Sequence, residues 1–171
     1  MRPNTWFNVL RSTLSVVIGT ALSIAPWAEQ GAAQDRWSVY ADQKGTRIPY
    51  PAHIFSVDRG HGENGTGQVL TTGDGRARIH MFSLPNTQGD SPSEYLRKYF
   101  PVNRAALTYD RVTRNFFAIS SRRDGMIIYM RCNFSTSAGG TLHCVDLRYP
   151  IREKLAWDGI VTRISLSVRP L

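Results

Sequence analysis

The stretch MIIYMRCNFSTSAGGTLHCVDLRY, residues 126–149, decides the architecture. Two runs rich in β-formers, Met126–Phe134 and Leu142–Tyr149, flank small turn residues at 136–140. Small polar residues and glycines make turns, so the stretch reads as one long β-hairpin. If the turn is centred on Ala138, residue i faces residue 276 − i, which sets Cys132 directly opposite Cys144. Opposed positions of an antiparallel pair hold their Cβ atoms about 4.5–5.5 Å apart, close enough to bridge after a small adjustment. These are the only cysteines, and an even count in an exported chain reads as a disulfide. A redox C-x-x-C motif is absent, and a metal site here would have only His143 as a third soft ligand.

The pattern continues outward on both sides. Arg123-Asp124-Gly125 is a turn, preceded by strand-like runs Phe116–Ser121 and Leu107–Thr113. Beyond the hairpin, Pro150 stops the strand. Trp157, Ile160, Val161, Ile164 and Val168 then recur at helical spacing, so Arg152–Val168 reads as an amphipathic helix covering the sheet. Ser91-Pro92-Ser93-Glu94 is a capping box with proline at the first helical position. The helix it opens runs to about Tyr99, before Pro101. Gln68–Thr72 and Arg76–Phe82 form a hairpin around Gly73-Asp74-Gly75, and Asp58–Gly67 is a loop with four glycines. Arg47–Phe55 is β-like, but Pro49 and Pro51 confine it to an edge or an irregular strand; Trp37–Ala41 is a short strand. The expectation is an α+β fold, a mostly antiparallel β-sheet with an internal helix and a C-terminal amphipathic helix packed on it.

Residues 1–33 follow the plan of a cleavable signal peptide. Arg2 and Arg11 supply the charge and Leu14–Ile24 the apolar run. Gly31-Ala32-Ala33 offers small residues for cleavage before Gln34. Residues 34–171 are then expected to be a single α+β domain, exported to the periplasm or secreted, with no transmembrane segment after cleavage.

The 171 residues carry a formal charge of +8, lowered by one when the leader takes Arg2, Arg11 and Glu29 with it. Lysine stands only at positions 44, 98 and 154, and every other basic residue is arginine. An acidic partner is one reading of this charge, and arginine-rich composition is the other. Along the sequence the arginines fall in pairs, Arg76/Arg78, Arg111/Arg114 and Arg122/Arg123, and form no stripe. On a strand, Arg111 and Arg114 point to opposite faces, so no single basic face is expected there.

Four tracts, W-S-V-Y with R-I-P-Y-P-A-H-I-F (37–55), T-T-G-D-G-R-A-R-I (71–79), G-M-I-I-Y-M-R (125–131) and W-D-G-I-V-T-R-I (157–164), carry a resemblance. The chain resembles small exported bacterial domains of the PsbP-like α/β/α sandwich type, and also uncharacterised exported proteins of alphaproteobacteria. The resemblance implies an accessory or assembly protein that binds partners. It carries over no site residue.

No motif assigns a reaction. G-x-S-x-G and H-E-x-x-H are absent, and none of His53, His61, His80 and His143 lies four residues from another. The glycine-rich 61–67 segment lacks the lysine and the helix of a phosphate-binding loop. It is read as a flexible surface loop, yet loops on a rigid sheet commonly carry binding. The candidate partner-binding residues are therefore His61, Glu63 and Asn64 on this loop, with Arg111 and Arg114 on an arginine-bearing edge. No catalytic residue, metal or cofactor is expected, and no nucleic acid. The expected role is a non-enzymatic binding or accessory domain in the periplasm or cell envelope, whose partner is an envelope protein or an anionic envelope component. The alternative is an envelope hydrolase.

Overall fold

The register of the 126–149 hairpin holds at every pair. The computed structural model describes residues 36–63, 65–101, 103–135 and 140–170. Within it β8 (Met126–Phe134) faces β9 (Thr141–Pro150) from Met126↔Pro150 to Phe134↔Leu142. Cys132 and Cys144 are opposed and bridged, with Cα atoms 4.2 Å apart. The turn residues 136–139 lie outside the described residues.

Around this hairpin a seven-stranded antiparallel sheet is ordered β3-β4-β5-β9-β8-β7-β6. Its other strands are β3 (Val57–Asp58), β4 (Gln68–Thr71), β5 (Arg78–Pro85), β6 (Leu107–Val112) and β7 (Phe116–Arg123). Asp124 and Gly125, with φ of 51° and 73°, make the two-residue link between β7 and β8. Two positive φ values match the right-handed twist of the flanking strands, and Asp-Gly tolerates them best. The strand expected from Arg76 begins at Arg78 instead. Asp74 takes the N–H of Arg76 (3.0 Å) and the hydroxyl of Thr72 (2.6 Å), which keeps 72–77 in a side-chain-closed loop.

The two faces of the sheet are covered differently. On one face, Ile79, Met81, Val145, Leu147, Tyr149 and Ile127 meet Trp157, Val161 and Ile164 of α2 (Lys154–Ser167). A second, three-stranded sheet shares this side, ordered β1-β2-β10: Trp37–Ala41, Thr46–Pro51 and Arg169–Pro170. The expected proline-bearing edge strand is thus the middle strand of a small sheet. Its partner β10 reaches only Thr46 and Arg47, so Pro49 and Pro51 sit where that side is free of a neighbour. The C-terminal helix ends at Ser167, and the two-residue strand after it is an addition to the expected order. On the opposite face, Phe82, Phe117, Leu142 and the disulfide lie under Tyr95 and Leu96 of α1 (Pro92–Tyr99). The capping box of α1 is formed, with Ser91 and Glu94 bonding reciprocally.

Two histidines are structural. His143 Nδ1 lies 2.8 Å from Thr46 Oγ1, and His80 Nε2 lies 3.0 Å from the carbonyl of Thr66 while stacking on Phe82. Burial lowers the pKa of both, keeping the rings neutral at pH 7.

Candidate anion-binding groove

Antiparallel register decides which side chains meet on the α2 face. Arg111 pairs with Ala118, and Ala118 pairs with Arg131. Directly opposed residues share a face, so both guanidinium groups rise on either side of a methyl group. The next row is Tyr109–Ser120–Tyr129, and the one beyond it is Arg122–Ile127–Tyr149. Small Ala118 and Ser120 make the floor low along β7, and α2 raises a wall with Lys154, Asp158, Thr162 and Ser165. The result is an open groove of about 470 Å³ beside the β6 edge.

Its charge is one-sided. Arg111, Arg122, Arg131 and Lys154 line it, against Asp158 as the single carboxylate. Asp158 is already paired with Lys154 at 2.6 Å. None of the three arginines forms an ion pair among the described residues. The guanidinium carbons of Arg111 and Arg131 lie 5.6 and 3.9 Å from the centre of the Phe116 ring. Arg131 is further held by Asn133 Oδ1, which accepts from Nε (2.8 Å), and by Ser165 Oγ, which accepts from Nη1 (3.3 Å). Ring stacking and neutral acceptors fix a guanidinium without neutralising it, and leave its other N–H groups for an anion. Tyr129 lies 2.6 Å from Ser165 Oγ, and burial raises its pKa, so it remains a neutral hydroxyl.

The expected site residues separate. Arg111 is in the groove, but β6 ends at Val112 and Arg114 stands exposed in the following turn. Arg111 and Arg114 share no face, as expected of that stretch; the basic groove arises instead because Arg122 and Arg131 arrive from β7 and β8. His61 and Glu63 are exposed at the opposite end of the sheet, roughly 25–30 Å away at about 4.8 Å per strand. Asn64 lies outside the described residues. The loop read as flexible is tied down: His61 Nδ1 meets the Gly67 carbonyl at 2.7 Å, Asp58 caps Gly60 N–H at 2.8 Å, and Arg59 and Val69 bond across it. It borders a hollow shared with Asp42, Lys44 and Gln68, far from the arginines. Arg122, Arg131, Lys154 and Tyr129 are the residues that sequence reasoning missed. Carrying the pairing of Arg111 two strands further would have found Arg131.

No protein-family model matches the chain, and no curated protein matches it. Among solved structures, the solution structure of cyanobacterial PsbP (CyanoP) from Synechocystis sp. PCC 6803 is similar, with a TM-score of 0.55 and 12% identity. The match covers 90% of this chain and 99% of that one. At this identity the likeness establishes a PsbP-like fold and nothing about residues. No helix among the described residues is long and apolar enough to cross a membrane.

Proposed function

We propose that this protein is a non-enzymatic binding or accessory domain, exported to the periplasm or cell envelope, that holds an acidic partner in the arginine groove. The observation that carries this reading is the set of three guanidinium groups lining one groove, none of them in an ion pair among the described residues. Like charges held together raise each other's energy, and an incoming anion relieves that while gaining charge-assisted hydrogen bonds. Binding is favoured over hydrolysis by the chemistry around Ser165, a buried hydroxyl of the groove. Its neighbours are a raised-pKa tyrosine and an arginine, neither of them a base at neutral pH.

Crosslinking in intact cells tests the proposal. Wild-type protein should capture an envelope component that the double variant Arg111→Glu/Arg122→Glu captures at least about tenfold less well. Arg114→Glu, at the exposed turn, should bind as wild type does. Equal capture by all three proteins would sink the groove as the binding surface. The export part of the proposal has its own check, since N-terminal sequencing of the mature protein should begin at Gln34. Exported material that retains Met1 would contradict it.

A further inference from the structure

Helix α1 covers only part of its face of the sheet. It lies over the row Phe82–Cys144–Cys132–Phe117 and buries Ile119 of the next row, but leaves Met130 of that row, and Ile128, Ser121 and Arg148 of the row beyond, partly or fully exposed. Those rows contain Asp146–Met130–Ile119 and Arg148–Ile128–Ser121. Together with Tyr99, Phe100 and Leu107 they bound a hollow of about 460 Å³. Most of its lining is apolar, and its β9 end is ionic.

The ionic end is unbalanced. The Asp146 side chain is 6% exposed, and a carboxylate so buried needs cationic partners. It has two. Arg148 Nε donates to Oδ1 at 3.2 Å, and Arg78 Nη2 lies 3.9 Å from the same oxygen. One carboxylate against two guanidinium groups leaves a positive charge over. Arg148 uses only Nε on Asp146, so its terminal nitrogens have no acceptor among the described residues, and Arg148 lines the hollow. Arg78 Nε is also buried without an acceptor. A guanidinium fixed through one N–H presents its terminal pair as a fork that matches a carboxylate.

We infer that this hollow is a second binding site, one that takes an apolar carboxylic acid: a single acyl or aryl chain bearing one carboxylate. The chain lies on Ile119, Ile128 and Met130 beneath Tyr99 and Phe100, and the carboxylate meets the free edge of Arg148. Asp146 is a positioning residue that sets the plane of that guanidinium. The site is on the opposite face from the arginine groove and stands independently of it.

Decanoate, decan-1-ol and decyltrimethylammonium test the inference on the intact protein, by calorimetry and by methyl shifts of Ile128 and Met130. Decanoate should bind at least about tenfold more tightly than the alcohol, the value of one charge-assisted contact, and the cation should bind weakest. Shifts should fall on Ile128 and Met130 and spare Ile127, whose side chain is on the groove face. Arg148→Gln should erase the preference for the acid while leaving the affinity for the alcohol. Should that variant fail to fold, Met130→Trp fills the hollow and should reduce binding of both chains, and the comparison of three ligands needs no variant. Equal binding of the three ligands, shifts confined to the groove face, or undiminished binding in Met130→Trp would each overturn the inference. A self-associating protein that buries Tyr99 and takes up no decanoate would do the same.

Discussion

Gly67→Ala is expected to cost about 3 kcal/mol or more of folding stability, read as a lowered urea midpoint. Gly67 has φ of +71°, a conformation that costs an L-residue about 1–2 kcal/mol. Space is the larger obstacle. A Cβ at this position would sit 2.1 Å from the Met81 carbonyl oxygen and 2.5 Å from Phe82 Cβ. Neither neighbour can yield. Met81 is fully buried and Phe82 nearly so, and β5 is paired on both edges, to β4 and to β9. The methyl group would therefore lift the start of β4 away from β5. Gly75→Ala separates the two contributions, because Gly75 has φ of +70° with nothing within 4 Å of the added atom. It should lose only the conformational part, about 1 kcal/mol. Equal losses in the two variants would show that close approach to β5 is not what selects glycine at position 67. Binding in the arginine groove, at the far edge of the sheet, should survive in whatever fraction of Gly67→Ala remains folded.

The parts of the fold that were legible in the sequence are those specified by local chemistry. The hairpin register followed from a turn centre at Ala138. The start of α1 followed from Ser91, Pro92 and Glu94, and the β7–β8 link from Asp124-Gly125. What could not be read were elements that exist only through tertiary contact. Two residues, Val57–Asp58 or Arg169–Pro170, hold too few positions to show a period of two, and become strands because β4 and β2 offer free edges. The placement of Thr46–Pro51 in a second sheet depends on where α2 lies, which no local pattern states. The late start of β5 came from a side chain, Asp74, competing for a backbone N–H.

The groove was partly legible for the same reason. Arg111 could be named, but its partner was sought along the strand, at Arg114, when the sheet supplies neighbours across strands. The relevant spacing is Arg111 to Arg131, twenty residues apart in sequence and two strands apart in space, with Ala118 between them. Arg111 and Arg122, members of different pairs along the sequence, line one groove with Arg131 once three strands are laid side by side. The loop at 58–67 misled in the opposite direction. Its four glycines suggested freedom, but Gly67 is required by close packing against β5, and a Cβ on Gly62 would strike the His80 ring at 2.4 Å.

The Cys132→Ala/Cys144→Ala double variant should lose more than about 3 kcal/mol, which a urea titration would resolve. The bridge spans a sequence separation of 12, and closing a loop of that length removes about this much freedom from the unfolded chain. Both sulfurs also belong to the core under α1. Each cysteine is 0% exposed, in one cluster with Phe82, Phe117 and Leu142. Alanine forfeits their packing as well, so the loss should exceed that of an exposed bridge over the same span. Burial adds a kinetic expectation. Reductant should not reach the bridge in the native protein, and thiol labelling should give almost no signal until the chain is both unfolded and reduced. The consequence extends to the groove, because Arg131 directly precedes Cys132 on β8. A chain that folds without the bridge begins with a weaker β8–β9 pairing, the strand pair that sets Arg131 opposite Val145. If the double variant is as stable as wild type, the hairpin is held by its ladder and the core alone, and the bridge contributes nothing to the arginine geometry. A loss of the expected size would make formation of the disulfide, in an oxidising compartment, a condition for the stability of the groove.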